Sequence, residues 1–243
     1  MSSKKPTLSI ITATYQSAKY LPDLIASLQA QTCQDFEWII ADGNSTDGTV
    51  EKLKQVTNLN IFCVSEHDFG IYDAMNKAIK RSTTDYYLVV GSDDVLAPDA
   101  VEVILDTLYA NPNLDVLIGT AYADGKIIKR NHGSSWFYGA GTLVNAHSVG
   151  TVFLKQLHSR FGYYSNHYPI SADGYFIKTI FQSNQIKVKY YDQVHGSFGT
   201  TGISSTETLR SYVENLHIQL VTEKYKFIQI LLFIARYIKY RLK

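Results

Sequence analysis

The first half of the chain alternates between short apolar runs and segments whose apolar residues recur at helical spacing. Leu8–Thr14 is a β-branched run, as expected of a strand buried on both faces of a sheet. A helical period follows in Leu21, Leu24, Ile25 and Leu28. Strands and helices that alternate in this way predict βαβ units and a parallel sheet.

The same pattern continues as far as Gly119. It predicts strands at Phe36–Ala41, Ile61–Val64, Tyr86–Val90 and Val116–Gly119. It also predicts three helices: one capped by Asp47 or Thr49 and ending at Gln55, one over Ile71–Lys80 and one from Pro98 to about Tyr109. Pro98 is placed just inside its helix, a position that favours proline. The second half is less regular. It predicts a hairpin over Ala121–Arg130 turning at Asp124-Gly125, an irregular loop over Asn131–Gly141, a helix over Ala172–Phe181, a strand over Ile186–Tyr191 and a flexible stretch over Gly196–Ser205.

Composition supports an ordinary globular protein. The 243 residues are 45% apolar and 19% charged, and their length suits one α/β domain. A net charge of +1 argues against a dedicated nucleic-acid binder. The two cysteines, Cys33 and Cys63, form no C-x-x-C pair, which excludes a thiolate metal framework and fits a reduced cytosol. Met1–Pro6 does not resemble a signal peptide, and we expect no membrane-spanning segment.

Polar clusters follow four of the predicted strands. They are Tyr15, Asp42, the segment Glu66 to Asp68 and the segment Ser92 to Asp94. Ligands of parallel sheets bind beyond the carboxyl ends of the strands, so we expect these clusters to converge on one edge.

Two adjacent carboxylates, Asp93 and Asp94, suggest a divalent cation. Mg²⁺ or Mn²⁺ takes one or two carboxylates and completes its coordination with water and substrate phosphate oxygens. The alternative is a solvated turn whose aspartates cap the following helix. Asp173, in the first turn of a predicted helix, is likewise either a helix cap or a general base for an acceptor hydroxyl.

Asp42, after the second strand, would also suit an NAD-binding fold, where an acid at this point holds the ribose. That fold needs a glycine-rich turn after the first strand, and Thr14–Ala18 contains no glycine. The phosphate-binding Walker pattern is missing too. The sequence therefore supports neither an NAD-binding protein nor a P-loop enzyme.

Five ordered segments carry a resemblance to a known family. They are Ser9–Tyr15, Asp35–Thr49, Asp68–Ala78, Gly91–Asp94 and Ala172–Phe176. Through them the chain, over about Leu8 to Phe181, resembles the family-2 inverting glycosyltransferases of the GT-A fold. It is most similar to the colanic-acid-type branch that builds bacterial exopolysaccharide and O-antigen repeats.

The resemblance implies a Rossmann-like α/β fold, with a mostly parallel central sheet flanked by helices and a C-terminal helical tail. In this family Thr14 and Tyr15 would enclose the nucleotide base, Asp42 would bond uracil, and Asp173 would be the catalytic base. Asp94, together with Asp93, would bind Mn²⁺ or Mg²⁺. The implied nucleotide-binding residues are Thr12, Ala13, Thr14, Tyr15, Asp42, Asp68, Asn76, Ser92 and Asp93.

One histidine and one missing motif refine the resemblance. His147 matches a histidine segment of this branch and is either structural or a contact to acceptor or phosphate. No Gln-x-x-Arg-Trp motif occurs, which argues against a processive synthase of the cellulose or hyaluronan type.

The C-terminal segment Lys224–Lys243 is apolar with flanking Lys and Arg. It suits either a helix in an anionic membrane interface or a helix packed on the domain. We therefore expect a glycosyltransferase domain over residues 1–223 and an amphipathic helix over 224–243. The expected location is cytoplasmic, peripheral on the inner face of the cytoplasmic membrane in the first case.

The predicted activity is inverting transfer of a sugar, a hexose or N-acetylhexosamine from a UDP-sugar, to a glycan or lipid-linked acceptor. The competing hypotheses are a nucleotidyltransferase and a non-catalytic module that binds a nucleotide sugar. The first lacks the glycine-rich phosphate loop that it would need. The second is disfavoured because Asp93, Asp94 and Asp173 are all present.

Overall fold

A nine-stranded mixed sheet forms the centre of the protein, in a computed structural model that describes residues 7–128, 132–199 and 208–241. Its strands are β1 Leu8–Thr14, β2 Phe36–Asp42, β3 Ile61–Ser65, β4 Tyr86–Val89, β5 Val95–Leu96, β6 Val116–Ala123, β7 Lys126–Ile127, β8 Thr151–Leu154 and β9 Val188–Ser197. They lie in the order β3-β2-β1-β4-β8-β6-β9-β5, and β7 pairs with β6.

The first four strands of this order are all parallel. β1 pairs with β2 and β4, and β2 pairs with β3, each in parallel register. Every residue of β2 and β4 is buried, which explains their uninterrupted apolar character. The predicted α/β fold with a mostly parallel sheet is confirmed.

The other half of the sheet departs from the parallel pattern. β8 lies antiparallel between β4 and β6, whereas β9 is parallel to β6 and antiparallel to β5. Neither β5 nor β8 was predicted, because runs of two and four residues are too short to show a period. These strands extend the sheet beyond β4.

Helices cover both faces of the sheet. They are α1 Leu21–Gln29, α2 Thr49–Lys54, α3 Ile71–Arg81, α4 Ala100–Ala110, α5 Ser135–Tyr138, α6 Leu157–Phe161, α7 Ala172–Phe181, α8 Thr208–Thr222 and α9 Lys226–Arg241. Neighbouring residues of β1 point to opposite faces: Ile10 packs in one core with α1 and α4, and Ile11 in a second core with α3 and α7. The two cores fix the helices on which the site residues lie.

Several predicted boundaries are wrong. Pro98 precedes the N-cap residue Asp99 rather than lying inside α4, and its carbonyl oxygen accepts a bond from Thr32 N at 2.8 Å. The expected strand over Ile186–Tyr191 begins and ends later, as β9. The hairpin at Asp124-Gly125 is confirmed by β6 and β7, although the end of its predicted range lies outside the described residues.

The two glycine-rich segments also differ from expectation. The predicted loop Asn131–Gly141 contains α5 and leads into a 3₁₀ turn at Ala140–Thr142, while Asn131 lies outside the described residues. Gly196–Ser205 begins inside β9, and its part from 200 onward is not described. Within the described ranges, no helix is long and apolar enough to cross a membrane.

Candidate active site

The carboxyl ends of the parallel strands meet at one edge of the sheet, where several predicted site residues lie. β1 and β2 end in register, and the turn Gly91–Asp94 follows β4. Tyr15, one residue beyond β1, is 68% exposed. A Cβ atom on Gly43 would lie 2.6 Å from Asp68 Oδ2 and 3.3 Å from Tyr15 Cδ2. Only glycine therefore allows Asp68 and Tyr15 to approach the backbone this closely.

Asp42 is buried and braces the strand ends. Its Oδ1 accepts bonds from Thr14 Oγ1 at 2.9 Å and Ser45 Oγ at 2.5 Å. Its Oδ2 accepts bonds from Ser45 N at 2.9 Å and Ser65 Oγ at 2.6 Å. With the side chain 1% exposed, these donors occupy the carboxylate and tie together the ends of β1, β2 and β3. Its contact with a nucleotide base stays a prediction.

Asp94 is also buried, at 2% exposure, and three segments of the chain hold it. Its Oδ2 accepts bonds from Gly91 N at 2.6 Å and Ser148 Oγ at 2.5 Å. Gly199 N donates to Oδ1 at 2.8 Å. Burial raises the pKa of this carboxyl group. The three donors lower the pKa and the repulsion from Asp93 raises it, each with a smaller effect.

The Asp93–Asp94 turn fits a divalent cation. A Cβ atom on Gly91 would lie 3.0 Å from Asp94 Oδ2 and 3.2 Å from Asp93 Oδ1, so the two carboxylates face the same small space. Two of the three donors bond Oδ2, the atom that lies near Gly91, so the remaining acceptor capacity of Asp94 is on Oδ1. In the described part of the chain, no group of three or more His, Cys, Asp or Glu side chains could hold a metal. A cation here would need phosphate oxygens from a substrate.

A strained turn lies beside the acid pair. Val149 has a φ of 62°, a conformation that β-branched residues rarely adopt. Val89 O accepts a bond from Val149 N at 2.7 Å, and His195 Nδ1 donates to Val149 O at 2.9 Å. The turn places Ser148 against Asp94 and the preceding His147 against Tyr164.

His147 begins a chain of buried hydrogen bonds. Its Nε2 lies 2.7 Å from Tyr164 Oη, which lies 2.9 Å from Tyr87 Oη, which lies 2.8 Å from His158 Nε2. His158 Nδ1 donates to Gly162 O at 3.0 Å, and burial lowers the pKa of His158 to about 4, so this ring is neutral.

The direction of the bonds places a proton on His147 Nε2. Neutral His158 accepts at Nε2 from Tyr87, so Tyr164 must donate to Tyr87 and His147 Nε2 must donate to Tyr164. Burial also lowers the pKa of His147, with an opposing effect of the Asp173 carboxylate. His147 therefore donates from Nε2 to Tyr164.

Asp173 lies in the first turn of α7, as predicted, and contacts α3. Tyr72 Oη lies 2.6 Å from Asp173 Oδ1 and 2.8 Å from Ile170 O, so one hydroxyl bridges the carboxylate and the preceding loop. Burial raises the pKa of Tyr72 well above its usual value, and the Asp173 charge adds to this effect. Tyr72 therefore stays protonated and donates to Asp173.

The structure thus joins the two halves of the predicted site. Ser148 bonds Asp94 on the acid-pair side, and the adjacent His147 bonds Tyr164, whose ring centroid lies 5.6 Å from that of Tyr72, the residue that bonds Asp173. Sequence reasoning missed Ser148, Tyr72 and Tyr164. Tyr72 lies within a segment that carries the family resemblance and Ser148 follows His147, but no spacing pattern marks either as a contact of an aspartate.

Two predicted nucleotide-binding residues have structural partners. Asn76 Nδ2 donates to Tyr164 O at 2.8 Å, and Tyr164 N donates to Asn76 Oδ1 at 3.0 Å. Thr12 Oγ1 accepts a bond from Trp38 Nε1 at 2.9 Å inside a core. Their side chains therefore support the fold around the site. Of the remaining predicted residues, Ala13 and Ser92 are partly buried at the strand ends.

Comparison with known proteins places this site in a family. The family model described as Glycosyl transferase family 2 matches residues 9–183, which include every predicted site residue. A PGL/p-HBAD biosynthesis glycosyltransferase of Mycobacterium bovis is 26% identical over 227 residues, 87% of this chain and 84% of the relative. The putative teichuronic acid biosynthesis glycosyltransferase TuaG of Bacillus subtilis is 35% identical over 105 residues, 42% of each protein.

Solved structures share the fold. S. aureus TarS 1-349 in complex with UDP covers 93% of this chain with a TM-score of 0.65 and 20% identity, over 69% of its own length. The mannosyltransferase PcManGT of Pyrobaculum calidifontis, in complex with GDP-Man and Mn²⁺, covers 89% with a TM-score of 0.67 and 17% identity, over 64% of its own length. These likenesses confirm the GT-A fold.

Replacing Asn76 tests whether it is structural. We expect Asn76→Asp to lower the free energy of unfolding by roughly 1–3 kcal/mol, because a carboxylate cannot donate to Tyr164 O. Urea denaturation measures the loss, and Asn166→Asp, at an exposed position, is the matched control. Unchanged stability with weakened UDP binding would instead favour the predicted role in nucleotide binding.

Proposed function

The chain belongs to glycosyl transferase family 2, and on this basis we propose that it is an inverting, metal-dependent glycosyltransferase. Its donor would be a nucleotide diphosphate sugar, with UDP as the nucleotide. Its acceptor would be a hydroxyl group of a glycan or lipid-linked saccharide in surface polysaccharide synthesis. The observation that carries the proposal is the series of contacts from Asp94 through Ser148, and from the adjacent His147 through Tyr164 and Tyr72 to Asp173.

The relatives support parts of this proposal. The name of TuaG refers to teichuronic acid biosynthesis, which suits a surface polysaccharide as product. TarS binds UDP, which favours a UDP-sugar donor, whereas PcManGT binds GDP-Man with Mn²⁺. Both bind a nucleotide, and the second supports Mn²⁺ or Mg²⁺ as the cofactor.

On the donor side, the acid pair would hold the cation. Asp94 would be the direct ligand, and Asp93, whose carboxylate faces the same space, would assist. A bound cation stabilises the negative charge that develops on the β-phosphate as the nucleoside diphosphate leaves. Tyr15 and Asp68, whose side chains both lie close to Gly43, would enclose the nucleotide.

On the acceptor side, Asp173 would remove the proton from the attacking hydroxyl group. The new glycosidic bond forms as the bond to the leaving phosphate breaks, and a single displacement inverts the anomeric carbon. Since the alcohol loses its proton only as this bond forms, an aspartate is a sufficient base. Tyr72, which donates to Asp173 Oδ1, orients the carboxylate so that its other oxygen can take the proton.

We assign His147 to the acceptor rather than to a phosphate. A phosphate oxygen needs a hydrogen-bond donor, and the Nε2 proton of His147 is already given to Tyr164. The lowered pKa of His147 favours an unprotonated Nδ1, which would accept a bond from a sugar hydroxyl. His147 would then orient the acceptor beside Asp173.

Substitution of the two key aspartates tests the mechanism. We expect Asp173→Asn to lower kcat by roughly 100- to 10 000-fold, the usual contribution of a general base. Asp94→Asn should also abolish transfer, through loss of the cation. UDP release from UDP-sugars with a saccharide acceptor measures both, and Asp106→Asn, at an exposed position, is the control.

The same assay separates the competing hypotheses. A non-catalytic module would bind UDP without turnover, and a nucleotidyltransferase would release pyrophosphate or a sugar phosphate rather than UDP. If the Asp173→Asn variant transfers sugar at nearly the wild-type rate, Asp173 is not the base.

Ligand-dependent stability tests the composite cation site. With UDP and Mn²⁺ at 100 times Kd, we expect Tm to rise by roughly 5–10 °C. Mn²⁺ alone, or UDP with a chelator, should shift Tm much less because two carboxylates need phosphate oxygens to complete the site. Differential scanning calorimetry measures the shift. A rise of equal size in Asp94→Asn would contradict Asp94 as a ligand.

The C-terminal helix α9 would bring the enzyme to an anionic membrane surface. Six apolar side chains of α9 are 39–71% exposed: Phe227, Ile228, Ile230, Leu231, Ile234 and Ile238. The helix contains Lys and Arg but no acidic residue. An apolar face with flanking cations suits an anionic lipid interface, and it would place the site near a lipid-linked acceptor.

Vesicle flotation tests this association. We expect wild-type protein to float with vesicles containing phosphatidylglycerol, and Ile234→Glu with Ile238→Glu to abolish flotation, because charge on the apolar face opposes burial in lipid. Ile127→Glu, on an exposed apolar residue of β7, is the matched control. Unchanged flotation of the double variant would show that α9 is not the membrane contact.

A further inference from the structure

The helix α8 lies alongside α7, which carries Asp173, and hydrogen bonds join the two helices along their length. Glu214 bonds the residues just before α7, Lys178 bonds Gln219 and Glu223, and Gln182 bonds Thr222 O. Ile218 is buried in the same core as Phe176 of α7. This helix lies outside residues 9–183, the part of the chain that the family model matches.

Glu214 caps α7 from another helix. Its Oε2 accepts bonds from Ile170 N at 3.0 Å and Ser171 N at 2.9 Å, and the side chain is only 8% exposed. The N-cap residue Ser171 makes no side-chain capping bond of its own. A helix N-terminus has unpaired N–H groups and a partial positive charge, so a carboxylate there is strongly favoured.

The peptide that Glu214 holds is held from the other side by Tyr72. Tyr72 Oη contacts both Ile170 O and Asp173 Oδ1, at 2.8 and 2.6 Å. Glu214 binds the N–H side of Ile170 and Ser171, and Tyr72 shares its one hydroxyl proton between Ile170 O and Asp173 Oδ1. The loop that leads into Asp173 is therefore clamped between α3 and α8.

A buried ion pair fixes α8 further along α7. Lys178 is buried and lies 2.5 Å from Glu223 Oε1, with Gln219 as a second partner. Burial lowers the pKa of Lys178, and Glu223 acts in the opposite direction. Because both partners lose their hydration only when α8 is docked, this pair sets the position of Glu214 along α7.

We propose that Glu214 is a positioning residue for Asp173, which makes α8 a part of the catalytic apparatus. The inference rests on the proposed role of Asp173 as the base. Glu214 touches neither donor nor acceptor. It fixes the backbone two and three residues before Asp173, and a displacement of the base of about 1 Å can lower the rate about 100-fold.

The experiment compares Glu214→Ala with Glu214→Gln in the full chain. We expect Glu214→Ala to lower kcat about 10- to 100-fold, because it releases the loop before the base. The Kd for UDP with Mn²⁺ should stay within twofold of wild type, since the acid pair is untouched. Glu214→Gln keeps an oxygen acceptor for Ile170 N and Ser171 N and should recover most of kcat.

Controls separate positioning from loss of folding. Glu51→Ala removes an exposed glutamate of α2 and should behave as wild type. A kcat within twofold of wild type in Glu214→Ala would overturn the proposal, as would a Glu214→Gln variant as impaired as the alanine variant. Parallel loss of UDP affinity and of kcat would also overturn it, because it would indicate general loosening.

The result is distinguishable from failure of the proposed function. If wild-type protein transfers sugar and Asp173→Asn does not, an active Glu214→Ala variant refutes only the positioning role. If Asp173→Asn is active, the base assignment itself fails, whatever the Glu214 variants do.

Discussion

The hydrogen bond between Ser148 and Asp94 is the contact on which the relation between the two halves of the site depends. Asp94 follows β4 in the parallel part of the sheet, and Ser148 precedes the antiparallel strand β8. The strained Val149 turn places the side chains of two consecutive residues in different surroundings. Ser148 bonds Asp94 and His147 bonds Tyr164, so two consecutive residues connect the surroundings of the acid pair with those of α7.

Buried charge explains why this arrangement is rigid. A carboxylate removed from water is costly unless donors replace its hydration. Asp42, Asp94 and Glu214 are each nearly inaccessible, and each accepts bonds from backbone N–H groups. Movement of any of these segments would leave both the carboxylate and the N–H groups without partners. The strand ends around Asp42, the turn at Asp94 and the start of α7 are therefore held by the same kind of constraint.

Much of the fold and part of the site could be predicted from the sequence. The runs that became β1 and β2 are long, β-branched and buried, so their positions were nearly correct. Short strands such as β5 and β8 carry no period, and partners there come from distant segments. The roles of Asp173 and Asp94 stay predictions, made from their positions at a helix start and after a strand and from motifs of the family. Glu214 could not be found, because it contacts the start of α7 only when α8 packs against α7, and no local pattern predicts that contact.

The packing of α8 against α7 also connects α7 to the C-terminal helix α9. Gln219 of α8 donates to Trp136 O at 3.0 Å, and Gln229 of α9 donates to the same oxygen at 2.9 Å. Gln219 also bonds Lys178, so one polar cluster links α9 to α7. The exposed helix α9 and the helix α7, which carries Asp173, thus share one set of polar contacts.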